Sequence, residues 1–91
     1  MQLQQAETIA LDALGFIVAD EAIFSALQAQ TGMGPEDLRQ GAGDPQVLGA
    51  LLDFILDNDQ RTMAFCEACQ LEPELPMRAR IALPGATSGI W

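Results

Sequence analysis

The chain has 91 residues and a formal net charge of −9, with 13 acidic residues, 4 arginines, no lysine and no histidine. This length accommodates one domain, and a hydrophobic fraction of 49% is enough to form a core, which excludes a two-domain enzyme and a disordered acidic tail. The missing histidine removes the commonest general base and metal ligand, and so few cations disfavour nucleic acid and anionic membranes as partners.

Apolar residues recur every three or four positions near the start of the chain, which predicts helices. The first helix covers residues 2–18, and its apolar face carries Ala6, Ile9, Ala10, Ala13, Leu14 and Ile17. A second helix follows the N-cap Asp20 and ends at Gly32, since glycine is the commonest residue just past a helix. These signals predict two helices joined by a short turn.

Two prolines mark the next helix starts. Pro35 begins a short third helix that ends at Gly41-Ala42-Gly43, and Asp44-Pro45 is the clearest start signal in the chain. The fourth helix is apolar nearly all round, apart from a narrow stripe of Gln46, Gly49, Asp53 and Asp57. A helix of that composition is expected at the centre of a bundle.

Two more helices complete the predicted domain. Asp57 or Asn58 caps the fifth, which carries Met63, Phe65, Cys66 and Cys69, and Glu72-Pro73-Glu74 starts a last helix that runs through Arg80 to Leu83. We expect residues 1–83 to form a single helical domain and residues 84–91 to be a flexible tail. The terminal Trp91 is either a floppy end or an anchor that docks into a groove.

The fold class that follows is all-α, a compact bundle of five to six short helices. A shift of 38 residues superposes the two halves of the chain, with identical residues at six paired positions: Leu14 and Leu52, Phe16 and Phe54, Ile17 and Ile55, Ala26 and Ala64, Pro35 and Pro73, Glu36 and Glu74. The bundle is therefore predicted to contain two copies of a helix-pair unit that bury their faces against each other, within one chain or across a dimer.

Three motifs follow one another at the centre of the chain: Gly32-Met33-Gly34-Pro35-Glu36, Gly43-Asp44-Pro45, and Leu51-Leu52-Asp53-Phe54-Ile55-Leu56. Their order resembles a family of small bacterial proteins catalogued only as a domain of unknown function, over about residues 5–80. The resemblance implies an all-helical, stand-alone protein and brings no catalytic residues. The chain departs from the family pattern at Gly34, where aspartate is usual, and at Pro76, which removes an early amide of the last helix or moves its start downstream.

Cys66 and Cys69 are the residues with the clearest chemical precedent, because two thiols three positions apart can bind a soft metal or form a disulfide. A zinc site needs four ligands, and only carboxylates are left to complete it. The thiols also lie well inside a helix, far from the N-terminal dipole that lowers a thiol pKa. We expect small packing residues, with a thiol-based redox or metal-responsive protein as the alternative.

A second cluster consists of Asp53, Asp57 and Asp59 near the end of the fourth helix. It could bind a divalent cation or a basic partner, although its spacing does not match a calcium-binding loop. An enzymatic role would require paired carboxylates such as Asp53 and Asp57 in a cleft. Capping by Asp57, or its pairing with Arg61 if the helix continues, explains the cluster structurally.

These features favour a non-catalytic protein-interaction module over an enzyme, with no cofactor and no metal site. We expect it to bind another protein, or a second copy as a homodimer, in an apolar groove between helices, and its acidic residues to favour a basic partner. Two cysteines without a disulfide framework, and an N-terminus without a basic segment, indicate a cytoplasmic protein. The candidate groove residues are Phe16, Phe24, Met33, Met63 and Phe65.

Overall fold

The computed structural model describes residues 1–83 and folds them into six α-helices, as the sequence predicts. The helices are α1 (Leu3–Val18), α2 (Glu21–Thr31), α3 (Pro35–Gly41), α4 (Pro45–Leu56), α5 (Asp59–Cys69) and α6 (Leu75–Ala82). Within residues 1–83, no helix has both the length and the apolar character needed to cross a membrane. The predicted tail, including Trp91, lies outside the described residues.

The predicted helix caps are confirmed. The Asp20 carboxylate accepts hydrogen bonds from the backbone N–H groups of Ala22 and Ile23, and the Asp44 carboxylate accepts one from Gln46. Of the two candidates for α5, it is the Asn58 side chain that accepts, from the Arg61 N–H at 2.9 Å. These caps satisfy amide groups that have no partner within their own helices, so three of the six helix starts are set by local sequence.

The start of α6 differs from the sequence prediction. The helix begins at Leu75 rather than at Pro73, and Pro76 occupies its first turn. A proline at this position removes no helical hydrogen bond, because the first amides of a helix have no acceptor within that helix. The preceding residues form a turn in which the Leu75 N–H donates to the Glu72 carbonyl oxygen at 3.0 Å. Pro76 therefore shortens the last helix, which is one of the two outcomes expected for it.

The core lies between α1 and α4, and α6 packs against both. Three alanines on one face of α1, Ala6, Ala10 and Ala13, are fully buried, which lets neighbouring helices approach closely. The predicted central helix α4 contributes the larger side chains, namely Leu48, Leu51, Leu52, Phe54 and Ile55. Gly49 is also buried, so the polar stripe expected on α4 is narrower than predicted.

The helix bounds repeat with the predicted period. Helices α1 and α4 end at Val18 and Leu56, and α2 and α5 begin and end at positions that are 38 residues apart. Both α2 and α5 are followed by a residue in the left-handed conformation, Gly32 with φ 76° and Gln70 with φ 55°. The starts of α1 and α4 and both bounds of α3 and α6 do not follow this shift, so the two-copy repeat stays a prediction.

Gly41 lies where α3 meets α4 and leaves no room for a side chain. A Cβ atom at this position would lie 2.5 Å from Cγ1 of Val47, whereas a Cβ at Gly15 in α1 would meet no atom within 4 Å. We expect Gly41→Ala to lower the free energy of unfolding by about 1–3 kcal/mol. The matched variant Gly15→Ala should raise it by about 0.5–1 kcal/mol, because alanine is the better helix former. Urea denaturation of both variants tests this, and a Gly41→Ala protein as stable as wild type would contradict the packing.

Candidate functional site

The strongest candidate site is an apolar groove of about 300 Å³ between α1, α2 and α3. Leu38 forms its buried floor, Leu14 and Phe24 are half-buried walls, and Val18 and Pro35 are exposed at its edge. Arg39 also lines the groove and is the charged member of the set. The volume lies at the lower end of the range for ligand pockets, and the lining offers contacts for apolar side chains rather than for a polar substrate.

Helix α1 extends this groove with a second apolar stripe. Leu11, Leu14 and Val18 follow one another at i, i+3 and i+7, so they share one face of the helix. That face lies beside the buried face and keeps Leu11 and Val18 exposed. Apolar residues at this spacing are typical of a helix that packs against another helix. Here the described residues cover only the Leu14 part of the stripe, so an apolar surface is left open next to the groove.

Of the five predicted groove residues, Phe24 alone lines this groove. Phe65 is fully buried in the core, where its ring centroid lies 5.5 Å from that of Phe16, so its assignment to a groove is wrong. Met33 lines a different and more polar pocket beside Asp37, and Met63 is exposed on α5.

Leu14, Val18, Pro35 and Leu38 line the groove but are not among the residues predicted for it. Leu14 fits the predicted core face of α1, because the apolar arc of this helix is wider than the part that the other helices cover. The i, i+3, i+7 spacing of Leu11, Leu14 and Val18 was the signal that could have identified the second stripe. Whether a residue lines a groove is therefore harder to predict than whether it lies in a helix, since the groove depends on how the neighbouring helices pack.

The two thiols are free and are held in their protonated form. Cys66 is buried, and burial raises the pKa of its thiol, with a further increase from the Glu74 carboxylate. Burial also raises the pKa of the half-buried Cys69 thiol, and the charges of Asp12 and Cys66 add to it. The reactive form of a cysteine is the thiolate, so both environments oppose redox chemistry and metal binding.

These thiols predict a fall in stability at alkaline pH. The chain has no lysine, tyrosine or histidine, so its thiols are the only side chains that titrate between about pH 8 and 11. Because folding raises both thiol pKa values, the unfolded chain loses these protons first, from about pH 8.5. The free energy of unfolding should therefore fall as pH rises above that value, and Cys66→Ala with Cys69→Ala should flatten the dependence. Denaturant titrations at several pH values test this, and an equally steep fall in the double variant would contradict it.

Two residues of the predicted acidic cluster make structural contacts. The Asp53 carboxylate pairs with the Arg80 guanidinium, with 2.6 Å between Nε and Oδ1, and Asp57 accepts a hydrogen bond from the Gln30 side chain. Helix α4 ends at Leu56, and Arg61 donates to the Phe54 carbonyl oxygen and lies over the Phe54 ring, so the condition for an Asp57–Arg61 pair is not met. Nowhere in residues 1–83 do three or more acidic or thiol side chains form a group that could hold a metal ion.

Comparison with known proteins gives a family and no function. Residues 3–86 match the model of a family described as "Protein of unknown function (DUF3572)". No curated protein and no solved structure matches the chain. The resemblance to a domain of unknown function is thereby confirmed over nearly the whole chain.

Proposed function

The chain belongs to DUF3572, a family of unknown function, and from its own geometry we propose that it is a non-catalytic module that binds another protein or a second copy of itself. The observation that carries this proposal is the groove between α1, α2 and α3 with the adjoining stripe of Leu11 and Val18. Apolar side chains of a partner would replace water against this surface, and the hydrophobic effect would supply most of the binding free energy.

The placement of the charged groups supports binding rather than catalysis. Within residues 1–83, no charged or polar residue is buried, so no carboxylate there is in the low-dielectric setting that prepares a general acid or base. Burial raises the pKa of both thiols and so disfavours the thiolate that the alternative redox role needs. The surface feature that best supports a function is therefore the apolar groove.

The same features guide our inferences on location and partner class. We infer a cytoplasmic protein, because its two cysteines are free thiols, as is usual in a reducing compartment. We also infer that neither nucleic acid nor an anionic membrane is the partner, since a net charge of −9 repels both. A protein surface with apolar side chains is compatible with the groove.

Site-specific photocrosslinking in the source organism tests the proposal. A photoreactive amino acid replaces Val18, which is 52% exposed at the groove, or as a matched control Ile81, which is 62% exposed on α6. We expect discrete crosslinked species of higher mass from position 18 and none of these from position 81. The proposal would be wrong if position 18 captured nothing, or if both positions captured the same proteins.

A further inference from the structure

Some acidic side chains near the groove already accept hydrogen bonds within the protein, and others are exposed. The Asp20 carboxylate caps α2, and the Asp37 carboxylate accepts a hydrogen bond from the Gly34 N–H at 2.9 Å. Glu21 and Glu36 are exposed, and each lies one helical turn before a residue that lines the groove: Glu21 before Phe24, and Glu36 before Arg39, which it contacts at 4.0 Å. These two carboxylates are therefore available to a partner.

The cations that could balance them are few, and three of the four arginines lie outside the groove lining. Arg61 stacks on Phe54, and Arg80 pairs with Asp53. Arg39 lies at the groove, but its contact with Glu36 is 4.0 Å long between two highly exposed side chains, which is a weak interaction in water. The groove thus has an acidic edge with little internal compensation.

The end of α1 adds to this negative edge. Helix α1 has no basic residue in its last turn, so no cationic side chain there offsets the partial negative charge of its C-terminus beside Val18. The next acidic residues, Asp20 and Glu21, follow directly at the start of α2. A cation on a partner would be favoured at this end of the groove, and a second copy of the chain, which also carries −9, would be repelled.

We propose that the occupant of the groove is an amphipathic helix of a different protein, with apolar residues at i, i+3 or i+4, and i+7 and with lysine or arginine beside them. This inference rests on the proposed function and adds the chemistry of the partner. The apolar residues pack against Leu14, Val18 and Phe24, and the basic residues face Glu21 and Glu36. Apolar contacts hold the helix, and the charges select it over acidic helices.

Two designed helical peptides test the inference. Both carry leucines at i, i+3 and i+7, and they differ only in having lysine or glutamate at the flanking positions. We expect fluorescence anisotropy at about 0.05 M salt to show at least ~10-fold tighter binding of the basic peptide, and this preference to shrink at about 0.5 M salt, where exposed charges are screened.

Charge-neutral variants test which carboxylates select the basic peptide. Glu21→Gln with Glu36→Gln should weaken binding of the basic peptide by about threefold or more, because each carboxylate lies one helical turn from a residue that lines the groove. The control Glu67→Gln with Glu72→Gln removes the same net charge from exposed positions in α5 and just after it, and because α5 does not line the groove it should have a smaller effect. Equal effects of the two pairs would show a response to net charge alone and would overturn the assigned contacts.

The remaining outcomes separate this inference from the proposed function. If the two peptides bind equally tightly, the basic partner is wrong while the groove remains a binding surface. If neither peptide binds, the inference is also wrong, and photocrosslinking from position 18 then decides independently whether the groove binds a protein. Crosslinked species made only of two copies of this chain would support the proposed function and overturn the partner named here.

Discussion

Replacing Phe65 by alanine is expected to lower the free energy of unfolding by about 3–5 kcal/mol. The side chain is 0% exposed and packs against the Phe16 ring at a centroid distance of 5.5 Å and an angle of 56°. The substitution removes a large buried apolar group and an aromatic contact between α5 and α1. Small domains have a total stability of about 5–10 kcal/mol, so the variant should be unfolded in a substantial fraction of molecules at elevated temperature.

Met63→Ala is the matched control for Phe65→Ala, because it lies two residues earlier on the same helix and is 70% exposed. Its effect should stay within about 0.5 kcal/mol. Thermal and urea denaturation followed by circular dichroism measure both variants. A loss below about 1 kcal/mol for Phe65→Ala, or an equal loss for Met63→Ala, would contradict the placement of α5 on the core.

Replacing Val18 by arginine is expected to weaken binding of the basic helical peptide about 100-fold, which corresponds to about 2.7 kcal/mol. The substitution removes an apolar side chain from the edge of the groove and places a guanidinium where the partner brings leucines and lysines. Desolvation of this charge and repulsion of the lysines both oppose binding. The fold should tolerate the change, because Val18 is exposed at the last residue of α1, where a cation favours the helix dipole.

Ile81→Arg is the matched control for Val18→Arg, since Ile81 is a similarly exposed β-branched residue near the end of α6. It introduces the same charge and should change the affinity less than about twofold. Anisotropy titrations of the two variants with the basic peptide give the comparison. An equal loss in both would mean that the peptide responds to net charge or binds another face.

The parts of the fold that are set locally could be predicted from the sequence. Asp20, Asp44 and Asn58 act on amides two or three residues away, so their roles follow from spacing alone. The start of α6 was harder to predict because Pro73 and Pro76 both fit a first turn, and the turn that precedes Leu75 decided between them. Neighbouring residues therefore determine where these four helices, α2, α4, α5 and α6, begin.

The groove could not be predicted in the same way, because it depends on which helix faces remain uncovered. Leu14 and Ile17 both fit the apolar face of α1, yet Ile17 is fully buried and Leu14 borders the groove. The pairing of Asp53 with Arg80 likewise joins residues that are far apart in the sequence. Periodicity gives the direction of a side chain from its own helix and does not identify the helix that packs against it.

The central claim is that the surface between α1, α2 and α3 is where this protein binds its partner. The most direct measurement is the change in backbone amide NMR signals when the unlabelled basic peptide is added to the ¹⁵N-labelled protein. The account predicts that the largest changes fall on Leu14, Val18, Phe24 and Leu38, which line the groove. Changes concentrated instead on Met77 and Ile81, which are exposed on α6, would contradict it.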